Sequence, residues 1–530
     1  HLNGIDLFDI YMLVKNIMRN AIHGDSFSLD SVSKELLDEK KHIVDLLALG
    51  KTWKKKNIKS EEIEPFIHYC LRDVELCINL HQYFSPDITE FKKMLNVSLN
   101  ELTLLSFSQI VEYYLMNNAH EYNQIIPNRP DEEQVRDRSN RRIKGAFVYD
   151  SNPGLYDNIA IYDFTSLYPT IIESHNITKG TIALKKEQGA LKVPEQSYYV
   201  KQAREKKAYI PTIIENLISR RMVIKKRIKE KTDEQEIKIL KARLQTLKII
   251  ANSLYGYLAF YMARWYSFEA AETVTAFGRH HIKDVIKTFK EEHFEVIYSD
   301  TDSIFILLQE HTEEEANRIV EQINSNLPGL MHLEEEGIYP KGIFVGQRGS
   351  LSKGAKKKYA LIRKDGSYKI VGMAMVRGDW SVVARDIQEK TLHLILSGKG
   401  VEKAVQYVRK EVEEIKNRPV EDFLISTKLK KPVDEYESKG PHVVVAQKLQ
   451  QNGYVVRPGM IVSYVITKGT SKRIGDRAKL AEETNVEEID VEYYLSNQII
   501  PVLEGIFEIF DTNVRSIISS ENKSLDSFFG

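Results

Sequence analysis

The sequence predicts a mixed α/β chain of several domains, and three observations carry that expectation. Apolar residues recur at two-residue steps in some segments and at three- and four-residue steps in others, so strands and amphipathic helices share one chain. The 530 residues amount to three or four domains at roughly 150 residues each. Hydrophobic residues at 42% and charged residues at 28% match folded globular chains, which excludes a disordered tail protein or a collagen-like repeat.

From the N-terminus, IDLFDIYMLVKNIM and HYCLRDVELCINLHQYF have helical apolar spacing and are separated by a Lys-rich stretch over 51–59. GAFVYD and NIAIYDF are short β-rich runs on either side of the turn signal SNPG, so a sheet begins near Gly145. After Pro211, residues Ile213, Ile214, Leu217, Ile218, Ile224 and Ile228 form one helical stripe, and Arg221, Lys225 and Lys229 form another. Thr232 and Gln235 have the spacing of a capping box, after which Ile237, Leu240, Leu244 and Leu247 open a second stripe. Two antiparallel helices joined by a short turn are expected. FEVIYSDTDSIFILL sets an apolar run on each side of a polar tetrad, the pattern of a hairpin with SDTD at its tip. Beyond Asp379 the chain reads as mostly helical as far as KGPHVVV, and the closing SSENKSLDSFFG is polar apart from Leu525, Phe528 and Phe529.

Apolar runs such as AYIPTII are too short to cross a bilayer, so no membrane partner is expected. Cys70 and Cys77 are the only cysteines, too few for a disulfide framework or a four-ligand zinc site, which points to a reducing compartment. His1 rather than Met stands first, as in a fragment of a longer protein. Net charge is zero, from 75 basic and 75 acidic residues, yet the charges are unevenly spread. Residues 220–231 hold seven basic side chains against one acid, Glu230, and 348–358 hold five and none. Local positive surfaces for an anionic partner are therefore available. Asn96 and Asn176 begin glycosylation sequons without meaning in a reducing compartment.

Three segments carry chemistry. YSDTDS places Asp300 and Asp302 two apart, which on a flat strand share a face; such a pair is either a solvated turn or a site for a hard cation. Asp163 ends the apolar run IAIYDF, and is either a strand-terminating residue bonding its own turn or a second acid for the same site. Phosphoryl transfer uses two divalent ions about 3.5–4 Å apart, which Asp163 and Asp302 are placed to bridge. KIIANSLYGY sets Lys248 and Asn252 on one helical face and ends in Tyr255-Gly256: a cation for phosphate, a ring for stacking, and a glycine for close approach.

Together, and in this order, DFTSLYPTII, KIIANSLYGY and YSDTDSIF resemble motifs A, B and C of the family B DNA polymerases, and SKGPHVVVAQKL with VEYYLSNQIIPVL looks closest to the archaeal members. AKKKYAL is similar to that family's Lys-Lys-Arg-Tyr motif, and VRGDWS to the start of its thumb. The resemblance implies a right-hand fold of palm sheet, two-helix fingers and helical thumb after a partial exonuclease-like segment. Its divisions would be 1–95 exonuclease-like, 96–150 connector, 151–205 palm, 206–262 fingers, 263–375 palm, 376–515 thumb and 516–530 tail. It further implies template-directed DNA synthesis from dNTPs with two Mg2+ ions, Mn2+ being a substitute. Asp163 and Asp302, with the Phe164 carbonyl, would be the metal ligands, and Asp300 would support them. Ser166 and Leu167 amides would meet the triphosphate, the Tyr168 ring would exclude a 2′-hydroxyl, and Arg221, Lys225 and Lys248 would clamp the phosphates. Asn252, Tyr255 and Gly256 would line the nascent base pair, and Lys356, Lys357, Lys358 and Tyr359 would grip primer-template DNA.

Departures qualify the match. Lys358 stands where the family has arginine, and in IKGAF only Gly145 matches the element that couples synthesis to proofreading. Tyr69 and Asp73 in YCLRD resemble the third exonuclease motif, but the first two do not precede it, so 3′-5′ exonuclease activity is expected to be absent. Rival readings are an idle polymerase-like DNA binder and a nuclease or phosphatase using the same acids. Asn522, Leu525, Phe528 and Phe529 resemble a peptide that docks on a sliding clamp. The resemblance would place the chain with the archaeal nucleoid in the cytoplasm, or otherwise in a nucleus or viral factory.

Overall fold

The computed structural model describes residues 8–518 except 20, 21, 23–26, 43, 45–51, 54, 56, 57, 204, 348 and 349. Its centre is a seven-stranded antiparallel sheet. The strands are β1 (Val148–Tyr149), β2 (Gly154–Phe164), β3 (Glu295–Asp300), β4 (Ser303–Leu307), β5 (Leu333–Gln347), β6 (Ser350–Ile362) and β7 (Tyr368–Val371). They lie in the order β1-β3-β4-β2-β5-β6-β7. β2 therefore sits in the middle, and its register sets Asp163 opposite Ser303 of β4 and Glu334 of β5.

Side chains alternate across β2, as the pleat requires. Ala160, Tyr162 and Phe164 enter the large core beneath the helices, whereas Ile159 and Ile161 enter a smaller cluster with Tyr298, Phe305, Phe344 and Tyr359. Helices pack on the first face, among them α1 (Ser60–Leu95), α2 (Phe107–Ala119), α3 (Leu167–Ser174), α4 (Tyr209–Glu230), α5 (Glu234–Ala259), α6 (Phe268–Glu291) and α7 (Glu313–Asn326). Tyr162 stacks on Phe289 of α6 and donates its hydroxyl to Asn317 of α7.

The expected helix pair is α4 and α5, with one change at the turn between them. Asp233, not Thr232, caps α5, because its carboxylate accepts from both the Gln235 and Glu236 amides, at 2.8 and 3.0 Å. Arg221 also leaves its expected stripe: three residues after Ile218, it falls on the packed edge of α4 and is only 8% exposed, while Lys225 and Lys229 face outward. A bidentate ion pair from Arg243 of α5 to the buried Glu90 of α1 ties the pair of helices to the N-terminal segment.

α1 is far longer than its sequence pattern suggests, running 36 residues through Pro65 and Pro86. Its first half exposes Ile67, Leu71, Val74 and Ile78, and its second half buries Phe84, Ile88, Phe91 and Leu95. The C-terminal part has its own core, which draws in Ile343, Val345 and Ala360 from the sheet. From Asp379 as far as KGPHVVV the mostly helical expectation holds, with one strand, ISTK, added. Besides α8 (Val382–Leu396), α9 (Val401–Glu414) and α10 (Pro441–Gln451), the C-terminal part holds a second antiparallel sheet of β8 (Ile425–Lys428), β9 (Ile461–Ile466) and β10 (Ala478–Lys479). Short ISTK carries too little pattern to be seen alone; pairing with IVSYVI makes it a strand. No helix among the described residues is long and apolar enough to cross a membrane.

The sequon residue Asn176 is a structural device. Only 5% exposed and at φ 55°, it accepts from the Ala208 amide at 2.8 Å and donates to the Lys201 carbonyl, fixing the chain where α4 begins. Asn176→Ala should destabilise the protein by about 1–3 kcal/mol, because the Ala208 N–H and Lys201 carbonyl lose their partner and alanine resists a positive φ. Urea denaturation with an unchanged slope would register this as a lower midpoint.

Candidate active site

Backbone register, rather than sequence spacing, builds the acidic centre. The β3–β4 hairpin turns at Thr301, whose φ is 63° and whose amide donates to the Phe147 carbonyl. Asp302 thereby leaves the strand, so it does not share a flat face with Asp300. Its amide folds back on the Asp300 carbonyl at 2.7 Å, and its own carbonyl accepts from the Phe164 amide at 3.0 Å. That last bond draws the hairpin tip to the end of β2, beside Asp163. Asp300 turns the other way, accepting from the Thr301 hydroxyl and facing the Lys357 ammonium at 3.3 Å.

The electrostatics are those of two acids crowded in poor solvent. Burial raises the Asp163 carboxyl to about 7, and Asp302, Glu336 and Glu334 push it in the same direction while Lys369 opposes them. Burial also raises Asp302, with Asp300 and Glu336 pushing it the same way, which its own amide and Lys357 partly offset. A divalent cation removes this mutual repulsion. Among the described residues no group of three His, Cys, Asp or Glu is assembled to hold a metal. Two carboxylates and a backbone carbonyl suit magnesium, which binds through one or two protein acids and completes its shell with water and phosphate.

Asp163, Phe164, Ser166 and Asp302 open into a cavity of about 1160 Å³, lined elsewhere by Arg221, Lys225, Lys248 and Asn252. The acids come from the sheet and the cations from α4 and α5, so opposite charges face one another across the space. Ser166 adopts φ 52° at the start of α3, and its hydroxyl accepts from the Arg221 guanidinium at 2.8 Å. Burial holds Arg221 below its ordinary pKa, and its Nε is buried without a partner, an uncompensated donor suited to an anion. Lys225 stands 3.9 Å from Glu334.

The remaining candidates divide. Tyr168 does not line the large cavity; it is half-buried and packs on Tyr255, with ring centroids 4.5 Å apart. Leu167 has a buried side chain. Gly256 lies within α5 rather than at its end and opens into an adjoining hollow shared with Lys248 and Asn252. Lys356 and Lys357 are exposed on β6, Lys358 is partly so, and Tyr359 is buried with its ring stacked on Phe344. The Lys357 amide donates to the Tyr298 hydroxyl, so this basic strand is bonded to the acidic hairpin. Arg279 of α6 donates to the Gly145 carbonyl and anchors the connecting segment. Tyr69 and Asp73 share one cation, Lys41, at 2.9 and 2.8 Å. Asn522, Leu525, Phe528 and Phe529 lie outside the described residues.

Several lining residues went unread. Lys238 and Lys241 fall three, seven and four residues apart from one another, Lys248 and Asn252, a polar stripe along α5 that helical counting would have found. Tyr83, Phe84, Pro86 and Asp87 of α1 form the far wall, with burial raising Asp87 to about 6; no local signal links them to the site.

Because Asp163 binds its proton more tightly folded than unfolded, its own contribution to metal-free stability should be full below about pH 4 and be lost as pH rises through 7. In EDTA, Asp163→Asn should melt about 2 °C or more above the parent at pH 8 and match it at pH 4. Magnesium should raise the parent's melting temperature at pH 8 and leave the variant's nearly unchanged.

Comparison with known proteins agrees with this geometry. Residues 100–510 match the model of DNA polymerase family B. The chain is 34% identical over 512 residues to a DNA polymerase of Thermococcus sp. (strain 9oN-7), covering 95% of this chain and 63% of that protein. A DNA polymerase of Pyrococcus glycovorans is equally similar, at 34% identity and 64% of its length. The family B DNA polymerase from the hyperthermophilic archaeon Pyrobaculum calidifontis superposes with a TM-score of 0.69 at 28% identity, covering 95% of this chain and 64% of that one. The chain thus spans a little under two thirds of the length of these relatives.

Proposed function

This chain belongs to DNA polymerase family B, and from that premise we propose that it extends a DNA primer by template-directed transfer from dNTPs. One observation carries the reading: the half-buried Asp163 and Asp302 line a cavity shared with Arg221, Lys225 and Lys248. A primer 3′-hydroxyl attacks the α-phosphate of the dNTP, forming a new phosphodiester and releasing pyrophosphate. Asp163, Asp302 and the Phe164 carbonyl would hold magnesium, which when bound supplies the charge that activates the hydroxyl and neutralises the leaving phosphates. Arg221, Lys225 and Lys248 orient the triphosphate tail, and Arg221, already desolvated, pays little further cost on meeting it.

In this reading the sheet is the palm, α4 and α5 are the fingers, and the C-terminal part is the thumb. Lys356 and Lys357 meet backbone phosphates of the primer-template duplex; the buried Tyr359 supports their strand from within. The Tyr168 ring, wedged beside Tyr255, lies beneath the sugar and excludes a 2′-hydroxyl. Proofreading is left out of the function proposed for this chain, since the nuclease-like Asp73 is already paired with Lys41. A tail peptide ending in Phe528 and Phe529 would tether the enzyme to a clamp.

Asp302→Asn should lower primer extension by about 100-fold or more while leaving duplex affinity near the parent's, because it removes a metal charge and no duplex contact. Extension assays beside fluorescence anisotropy on labelled primer-template separate the two effects; near-parent extension would rule out the assigned centre. Tyr168→Ala should raise ATP incorporation relative to dATP by about tenfold or more, read as the ratio of kcat/KM values, since loss of a steric block acts on the ribonucleotide alone.

A further inference from the structure

Gly278 occupies the middle of α6, where glycine costs about 1 kcal/mol relative to alanine. It is buried and has no positive φ that would call for glycine. The reason is therefore sought in space. A Cβ built on Gly278 would lie 3.2 Å from Cε1 of Tyr168, 3.7 Å from Cδ1 of Ile171 and 3.8 Å from Cδ2 of Leu167. All three belong to α3, and the tightest approach is to the edge of the tyrosine ring.

The surroundings direct such a contact onto the ring. Tyr255 of α5 packs against it, so Tyr168 is confined between two helices. Ile171 and Leu167 beside it are buried and cannot make room. α6 cannot retreat either: Arg279, the next residue, donates to the Lys144 and Gly145 carbonyls and to Glu195, and Ala270, Ala271, Val274 and Ile282 of α6 are buried. A methyl group at 278 would therefore displace the ring and not the helix.

We propose that Gly278 is a specificity-determining residue, its missing side chain setting how deep the Tyr168 ring sits and so how strictly the site distinguishes deoxyribose from ribose. It acts through Tyr168 and is a positioning residue. The inference rests on the reading of Tyr168 as the sugar gate, and its test keeps the two apart.

The experiment measures kcat and KM for dATP and ATP on one primer-template with the parent, Gly278→Ala, Tyr168→Ala and the double variant. Gly278→Ala pushes the ring off α6, and should change the dATP:ATP preference five-fold or more, chiefly through KM for ATP. In the Tyr168→Ala background the same change should shift the ratio less than twofold, because no ring remains to be moved. A purely structural defect would lower both nucleotides alike and leave the ratio in place. If Gly278→Ala impairs folding, the double variant should regain the melting temperature of Tyr168→Ala; failure to regain it overturns the contact. With a relaxed Tyr168→Ala, a ratio within twofold of the parent for Gly278→Ala overturns the inference alone. A Tyr168→Ala that discriminates like the parent overturns the gate itself, and the inference with it.

Discussion

The hydrogen bond from the Phe164 amide to the Asp302 carbonyl is the constraint on which the site depends. It joins the end of a central strand to the tip of a neighbouring hairpin, and so sets two carboxylates side by side where water is scarce. Neither acid is comfortable there. Burial and neighbouring carboxylates raise both, and the arrangement is maintained because β2 is gripped on both sides, by β4 and β5, with its core-facing residues packed under α6 and α7. A strained charge pair held by a rigid sheet is what a cation-assisted phosphate reaction requires, since reorganisation at the moment of reaction is avoided.

The cations answer that pair from a different layer. α4 and α5 are connected through a short capped turn and α5 is bonded to α1 by Arg243 and Glu90, so Arg221, Lys225 and Lys248 line the same cavity as the acids, Lys225 reaching Glu334, while among the described residues no ion pair joins them to Asp163 or Asp302. Separation matters: Arg221 in direct contact with Asp163 would quench the charge that a metal needs. Its guanidinium instead touches a neutral hydroxyl, on Ser166, and leaves one nitrogen unmatched. The sheet thus supplies negative charge and the helices supply positive charge to one cavity.

The N-terminal segment plays a double part. The second half of α1 walls the cavity through Tyr83 to Asp87, while its first half exposes an apolar row near Lys41, Tyr69 and Asp73. Two halves of one helix therefore serve different surroundings, which a single amphipathic pattern would not suggest. The β6 lysines show similar economy: Lys357 bonds the acidic hairpin through both its backbone and its side chain, coupling a basic strand to the centre it flanks.

Much of this was legible in the chain alone. The helix pair, the acidic hairpin and the central strand follow from local periodicity and turn chemistry, because those depend on neighbours within a few residues, and the three motifs together carried the family. What the sequence determined was which residues bear chemistry. Tertiary structure decided how they face one another. Asp302 is brought to the end of the Asp163 strand because an αL turn at Thr301 and a cross-strand bond to Phe164 reorient it. Arg221 is buried and Tyr359 turned inward because of neighbours far away in the chain. Gly278 is informative only because Tyr168, over a hundred residues earlier, rests against it. Burial, register and steric contact between distant segments are properties of packing, and no window along the sequence contains them.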